Sequence, residues 1–538
     1  MTLSQGDLES LVSKQCTVEL WQEYKTNGSN QAKKVISKLK NNVSCRYGMS
    51  KVISNTKIIR QLKIDYGTQA TELIRAIRKA SGRAMSGVSV VAIMTAPAWC
   101  PGQCTYCPTS AIAAKSYTGF EPAARRARFN GFDPYRQVQS RLNQFKDNGH
   151  NPSKCELIIM GGTFNSLPTD YQQNFLKGAY DAFNNEVSET LEQSILKNET
   201  ADSRVIGLVI ETRPDWAKDY QVKQLLDWGT TRIELGVQSL DNEVLEKTKR
   251  GHDVNESIRA TKTCKDTFLK VGYHIMLGAY STVEKEKVEL PQIFSNPDFR
   301  PDMLKIYPLL IIPGTPMHEE WKSGNFTPYT TEEVVDVICE IKRNCPIYTR
   351  IMRIDRDIPT PQIAAGVKET NLREIVAATM IEKGYKCNCI RCREAGIYSW
   401  KNKKTLDLND LQLNRYDYKA SEGLESFITY DFESEDLLAG FLRLRKQSDT
   451  PSAHDAIDNT TAGIRELRVF GEQVEVGKAL TGAIQHMHLG KKLIELACEI
   501  AKNEWGAQKL AVTSGVGVRQ YYQNLGFEKV GPYVIKKL

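Results

Sequence analysis

The sequence predicts an α/β protein: a parallel sheet, open or curled into a partial barrel, then a smaller α/β domain, with a helical N-terminal segment in front. Three observations predict it. Six short β-branched runs alternate with stretches long enough for a helix, the pattern of successive βα units. A cysteine-rich loop directly follows the first run, and such sheets place their active sites at strand C-termini. A second texture of strands joined by polar turns begins near residue 420.

Taken in order, residues 1–85 read as helical, because AKKVISKLK and TELIRAIRKA repeat apolar residues at helical spacing. The six runs are VSVVAIM (88–94), CELIIM (155–160), RVIGLVI (204–210), RIELGV (232–237), GYHIML (272–277) and MLKIYPLL (303–310). The alternation breaks after about residue 375. Beyond 420, ESFITYDF, LAGFLRLRK and IRELRVF read as antiparallel strands. The helix LGKKLIELACEIAKNEW, the strand KLAVTS, the short helix VRQYYQNLG and a last strand follow. The expected divisions are a basic helical segment 1–85, a sheet domain 86–375, a metal-binding linker 376–415 and a second α/β domain 416–538.

A chain of 538 residues is too long for one core. No run of 18 apolar residues offers a membrane span, and MTLSQGDLESLVSKQ is too polar for a secretory signal. Thirteen cysteines without an export signal point to a reducing, cytoplasmic setting and to metal work, not disulfides. Residues 1–85 hold 15 Lys and Arg against 6 Asp and Glu, a surplus that accounts for the whole net charge of +8. A basic lobe on an otherwise balanced chain suggests nucleic acid; the plainer alternative is a solvated helical surface. Arg125, Arg126 and Arg128, interleaved with aromatics in SYTGFEPAARRARF, suit phosphate contact and base stacking, or are solvated helix charges.

The chemistry is clearest in APAWCPGQCTYCP. Cys100, Cys104 and Cys107, spaced CxxxCxxC, can hold three irons of a [4Fe–4S] cluster and leave the fourth iron open to S-adenosylmethionine (SAM). A zinc site would want a fourth ligand, and no His or Cys follows within forty residues. The first domain is therefore expected to be a radical SAM partial (βα)6 barrel. Gly161 and Gly162 end the second run, where glycines allow close backbone approach to the SAM amino group. Glu211 with Arg213, and Glu234 with Gln238, end the next runs, placed to meet SAM or substrate, or to pair ions at the barrel rim. Cys387, Cys389 and Cys392 (CxCxxC) suit three ligands of a structural zinc, or are unliganded buried thiols.

IQHMHLGKKL opens a helix after a strand and loop, the place of the pyrophosphate loop Q/R-x-x-G-x-G/A of Gcn5-related acetyltransferases. Backbone N–H groups there would cradle the CoA phosphates. Gln485 and Gly490 fit the motif, and His488 stands where its first glycine would be. Tyr521–Tyr522 falls where such enzymes often place a tyrosine that contacts or protonates the thiolate; a packed aromatic pair is the alternative. The second domain is thus expected to be a Gcn5-related N-acetyltransferase α/β domain.

Taken together, SGVSVVAIMTAPAWCPGQCTYCP, CELIIMGGTFNSLP, IETRPDW, RIELGVQSLD, FRPDMLKIYPLLIIPGT, IRELRVFG and KLAVTSGVGVRQYYQNLGFEKVGPYVIK resemble the catalytic subunit of Elongator, from about residue 85 to the end. The resemblance implies formation of 5-carboxymethyluridine at the wobble position of tRNA. A deoxyadenosyl radical would take a hydrogen from the acetyl methyl of acetyl-CoA. The carbon radical would add to uridine C5, and thioester hydrolysis would release the base. The implied cofactors are a [4Fe–4S] cluster, SAM, acetyl-CoA and zinc. The implied partner is tRNA, with other Elongator-like subunits or without them, and with a homodimer left open. By match, Lys154, Glu466, Leu467, Arg468, Val469, Leu489, Gly490, Lys491 and Tyr522 would contact acetyl-CoA, and Lys154, Tyr521 and Tyr522 are the candidate catalytic residues. Here RELRVFG stands for the family's RELHVYG, with Arg468 and Phe470 in place of His and Tyr. Two further readings are a protein lysine acetyltransferase with a structural cluster, and a degenerate tRNA-binding scaffold.

Overall fold

A computed structural model describes residues 4–78, 87–355, 358–404, 406–470 and 488–538. The chain forms two compact units, Met1–Ser89 with Gln139–Ser153, and Val90–Val138 with Lys154–Leu538.

The first unit is helical, as expected. The helix Gln5–Arg46 starts at Ser4, whose side chain accepts from Asp7 N, and breaks at Gly28, where φ is 79°. Only glycine takes that conformation cheaply. Both arms contribute to one core: Val12, Cys16 and Leu20 before the break, Ala32, Ile36 and Val43 after it. The helices Asn55–Tyr66 and Thr71–Ile77 close that core with Ile58, Leu62 and Leu73. Lys14, Lys25, Lys33, Lys34, Lys38, Arg60, Lys63 and Arg75 remain exposed on its surface.

The second unit carries two sheets. The first contains β1 (Ser89–Met94), β2 (Lys154–Met160), β3 (Arg204–Thr212), β4 (Thr230–Gln238), β5 (Lys270–Leu277), β6 (Met303–Pro308) and β7 (Arg350–Ile354), ordered in space as in sequence. Pairing from β2 to β7 is parallel, and β1 and β7 are edges, so the sheet is a half-barrel. Six strands match the expected runs. The seventh, RIMRI, escapes a search for apolar runs because two arginines interrupt it.

The second sheet is mixed. It contains β8 (Leu411–Ala420), β9 (Gly423–Phe432), β10 (Leu437–Lys446), β11 (Thr461–Val469), β12 (Lys509–Val512), β13 (Glu528–Val530) and β14 (Tyr533–Lys537), in the order β13-β14-β12-β11-β10-β9-β8. Among its described strands only β11 and β12 pair in parallel, from Thr461↔Lys509 to Ile464↔Val512. Beyond Ile464, β11 keeps its bonds to β10, but no described strand pairs with its other side. The helix Leu489–Glu499 buries Leu493, Ile494 and Ala497 against Leu442, Leu444, Ile464 and Val512. The sequence reading does not anticipate β8, because LQLNRYDYKA is a mostly exposed edge with little apolar pattern.

The second sheet sits against the N-terminal ends of the half-barrel strands. A Cβ at Gly463 would lie 2.2 Å from the Phe268 ring, just before β5. One at Gly515 would lie 2.1 Å from Ile206 O in β3, and one at Gly517 2.3 Å from Arg204 Cβ. Each would collide, so glycine is what lets the two sheets close.

Candidate functional site: two mouths of a half-barrel

The cysteine loop leaves β1 at the C-terminal mouth. Cys100, Cys104 and Cys107 are half-buried. The loop is pinned by Cys107 N to Cys104 O (3.1 Å), Thr105 N to Thr248 O (3.0 Å) and Met317 N to Thr105 O (3.1 Å). The sulfurs of Cys387, Cys389 and Cys392 form a separate group, converging within 4.8 Å of one another. Gly161 (φ 130°) and Gly162 (φ 60°) follow β2; a Cβ on Gly161 would meet Thr95 Oγ1 at 2.2 Å, and one on Gly162 would lie 4.0 Å from Cys100 Cβ. The two glycines thus stand beside the loop, as a close backbone approach requires.

Arg250, which sequence reasoning passed over, and Arg213, which it singled out, complete this mouth. Arg250 is buried; its Nη1 donates to Cys104 Sγ at 3.3 Å and its Nη2 to Gly236 O at 2.7 Å. Arg213 pairs with Asp215 at 2.9 and 2.8 Å and also reaches the loop. Burial would raise the Cys104 thiol, but Arg250 and Arg213 outweigh it and hold the group below its ordinary range. A cavity of about 630 Å³, lined by Pro101, Gly102, Gln103, Leu245, Lys249 and His252, opens beside the loop.

Inside the barrel the walls are charged. Arg232 Nη1 donates to Glu156 Oε1 at 2.8 Å and its Nε to Glu234 Oε1 at 3.1 Å. His274 Nε2 lies 2.8 Å from Glu234 Oε2. Lys305 pairs with Glu234, and with Glu211 at 3.1 Å, while Tyr117 OH donates to Glu211 at 3.3 Å. Burial would raise the Glu234 carboxyl, yet Lys305, Arg232 and His274 hold it well below the usual carboxylate range. The oxygens and nitrogen of Glu211, Glu234 and His274 converge within 4.8 Å, but the Lys305 ammonium already supplies the cation there. Gln238 ends β4 in a left-handed conformation (φ 70°). Arg232 and Glu234 share one face because strand side chains alternate with period two. That charge pattern in RIELGV was a signal available in the sequence.

At the opposite end, Glu466 accepts from Arg443 Nε at 2.9 Å. Burial would raise the Glu466 carboxyl, but Arg443, Lys270 and Arg468 bring it down to about 2. Arg468 also acts on Glu156, so charged neighbours run from β11 into the barrel wall at β2 and β4. Lys154 starts β2 beside Arg204, and burial lowers its ammonium. His488 caps the helix Leu489–Glu499 in a left-handed conformation (φ 54°, ψ 22°), which explains why the loop motif prefers glycine there. A Cβ on Gly490 would lie 3.1 Å from Tyr521 OH, 3.7 Å from Leu467 and 4.0 Å from Val469, so the helix start, β11 and Tyr521 form one edge. Lys491 reaches Glu495 at 3.7 Å. Tyr521 is 42% exposed, whereas Tyr522 is buried against Phe527. Gln485 lies outside the described residues.

Residues 94–288 match the Radical SAM superfamily, and residues 301–382 the Radical_SAM C-terminal domain. A protein named tRNA uridine(34) acetyltransferase from Methanocaldococcus infernus is 44% identical over 97% of this chain and 99% of its own length. Elongator complex protein 3 of Schizosaccharomyces pombe is 38% identical over 95% of both chains. The chain belongs to the Elongator protein 3 family of radical SAM proteins. The solved structure of an N-terminally truncated archaeal Elp3 from Methanocaldococcus infernus, 43% identical, superposes with a TM-score of 0.76 over 84% of this chain and all of that one. This family membership accords with the resemblance drawn from the motifs, and with the half-barrel, the mixed sheet and the helical N-terminus.

Two further placements bear on substrate. Arg126 turns inward and donates to Ala92 O at 2.9 Å, so of the three arginines only Arg125 and Arg128 remain outward. Among the described residues no helix is long and apolar enough to cross a membrane.

Proposed function

We propose that this chain converts the wobble uridine of tRNA, position 34, to 5-carboxymethyluridine with acetyl-CoA and radical SAM chemistry. One observation carries the reading: a three-cysteine loop at the C-terminal mouth of a half-barrel, and, within the same compact unit, an edge made by β11, Gly490 and Tyr521 in the sheet that closes its N-terminal end. The relatives named tRNA uridine(34) acetyltransferase support the substrate.

The residues divide the work. Cys100, Cys104 and Cys107 hold the cluster, and the backbone at Gly161–Gly162 approaches the SAM amino group. A cluster held there would, with SAM bound, supply the one-electron reduction that SAM cleavage needs. Glu211, Glu234 and Gln238 line the wall facing that site, with Glu234 kept ionised by Lys305 and Arg232. At the other end, backbone N–H groups of Leu489, Gly490 and Lys491 face the CoA pyrophosphate. The side of Glu466–Val469 with which no described strand pairs offers β-type bonds to the amide-bearing arm of CoA. Tyr521 presents its hydroxyl at that edge, Tyr522 packs behind it, and Lys154 lies on the same side of the barrel. The exposed lysines and arginines of the first unit, with Arg125 and Arg128, grip tRNA phosphates. Cys387, Cys389 and Cys392, whose sulfurs converge within 4.8 Å, supply three of the four ligands of a structural zinc, with Lys342 Nζ 3.8 Å from Cys392 Sγ.

The test is mass spectrometry of nucleosides from tRNA incubated anaerobically with reduced protein, SAM and acetyl-CoA. Carboxymethyluridine at position 34, lost when either SAM or acetyl-CoA is omitted, is the expected result. Acetylated lysines with unmodified tRNA would replace this reading with the protein acetyltransferase one.

A further inference from the structure

Two guanidinium groups meet at one cysteine. Arg250, 8% exposed, comes from the turn after the short helix Asn242–Lys247 that follows β4, and donates directly to Cys104 Sγ at 3.3 Å. Its other nitrogens are fixed on Gly236 O, at 2.7 Å from Nη2 and 3.3 Å from Nε, so the fork cannot swing away. Arg213, 4% exposed, follows β3 and is clamped by both Asp215 oxygens. Its Nη1 is buried and has no hydrogen-bond partner among the described residues. That atom points at the cysteine loop: the position a Gly102 Cβ would take lies 2.3 Å from Arg213 Nη1 and 3.4 Å from Cys104 Sγ. Gly251, next to Arg250, leaves room on the other side; its Cβ would lie 2.9 Å from Arg213 Nη2. An orphaned N–H on a buried cation is costly unless an acceptor arrives. Glycines at 102 and 251 are what let that cation come so close.

We propose that Arg250 and Arg213 form a cationic N–H clamp on the Cys104 corner of the cluster that sets its reduction potential. Arg250 donates to the ligating sulfur. Arg213 Nη1 donates to an acceptor of the bound centre next to it. Hydrogen bonds to cluster sulfurs and nearby positive charge favour the reduced, more negative state and raise the potential. Both act on the centre's potential and neither makes or breaks a bond in the reaction. The inference rests on the cluster reading of Cys100, Cys104 and Cys107.

The experiment is an anaerobic redox titration of the reconstituted full chain, followed by electron paramagnetic resonance, for wild type, Arg250→Gln, Arg250→Lys and Arg213→Gln. Iron per chain is measured in each. The potential should fall in both Gln variants at unchanged iron content, by about a tenfold shift in the one-electron equilibrium, roughly 59 mV. Arg250→Lys should fall less, because it keeps the charge and loses the fork. Should Arg250→Gln lose iron, Arg213→Gln and Arg250→Lys decide alone. Wild-type potentials in variants with full iron would overturn the clamp. A wild type that holds no four-iron centre would instead overturn the cluster reading on which it rests.

Discussion

Arg465 Nη1 donates to Asp302 Oδ2 at 2.8 Å, and both side chains are wholly buried. The pair joins β11 of the mixed sheet to the turn that enters β6 of the half-barrel. Asp302 also accepts from Val271 N at 2.8 Å, and Arg465 reaches Leu269 O at 2.7 Å and Glu425 at 2.9 Å. Arg445 repeats the pattern with Asp266 at 3.0 Å and Glu425 at 3.1 Å. The two sheets are thus locked by paired, buried charges. A substrate site that spans both needs such a lock, because positions at the two ends must hold register to within fractions of an ångström.

Removing one partner leaves the other charged and buried. Asp302→Asn should therefore destabilise the second unit by about 3–5 kcal/mol, whereas neutralising an exposed pair such as Lys404–Glu435 should cost far less. Equilibrium denaturation of both variants checks the contrast. Equal losses would show that burial is not what makes the lock strong.

Metal content should distinguish the two cysteine groups. Alanine at Cys100, Cys104 or Cys107 should abolish SAM cleavage and lower iron content. Alanine at Cys387, Cys389 or Cys392 should lower zinc and leave the iron in place. Metal analysis of the six variants separates the two centres, and a fall in iron on substitution in the second group would merge them.

Glu286 gives a pH dependence. Burial pushes its carboxyl up to about 8, although Gly278 N donates to it at 2.8 Å. The folded state therefore holds a proton that the unfolded chain releases near pH 4.3. Its contribution to stability is complete below that value and is lost as pH rises through about 8. Glu286→Gln keeps the acceptor and removes the titration. Its stability should gain on wild type steadily between pH 5 and 8; unfolding profiles that stay parallel would show that the carboxyl is ionised in the fold.

His488 holds a left-handed backbone that costs an L-residue of order 1 kcal/mol. His488→Gly should stabilise the chain by about 0.5–1 kcal/mol and tighten acetyl-CoA modestly, read by denaturation and by calorimetry. Gly490→Val should do the opposite for acetyl-CoA, since its Cβ would stand 3.1 Å from Tyr521 OH. Unaltered affinity in Gly490→Val would remove this edge from the binding site.

For tRNA, charge reversal at exposed Lys33, Lys34 and Lys38 should weaken binding and flatten the dependence of log K on log salt. The slope should change by roughly 0.7–0.9 for each phosphate that is no longer neutralised. A truncated chain lacking residues 1–80 that binds tRNA with wild-type affinity and salt slope would exclude this surface.

Elements whose cause is local could be read from the residues alone. Apolar β-branched runs marked six strands of the half-barrel, and CxxxCxxC marked the cluster loop, because thiol spacing on one loop is a one-dimensional property. The N-terminal helices were legible for the same reason. β7 and β8 were not, since arginines and exposed polar residues hide an edge strand's alternation. Which charges meet was settled by the folded chain. Arg250 and Cys104 stand 146 positions apart in sequence, and Arg465 and Asp302 163, yet each pair is hydrogen-bonded. No local pattern encodes such pairs, because a buried charge is tolerable only where the fold brings its partner, and that depends on how two sheets close upon each other.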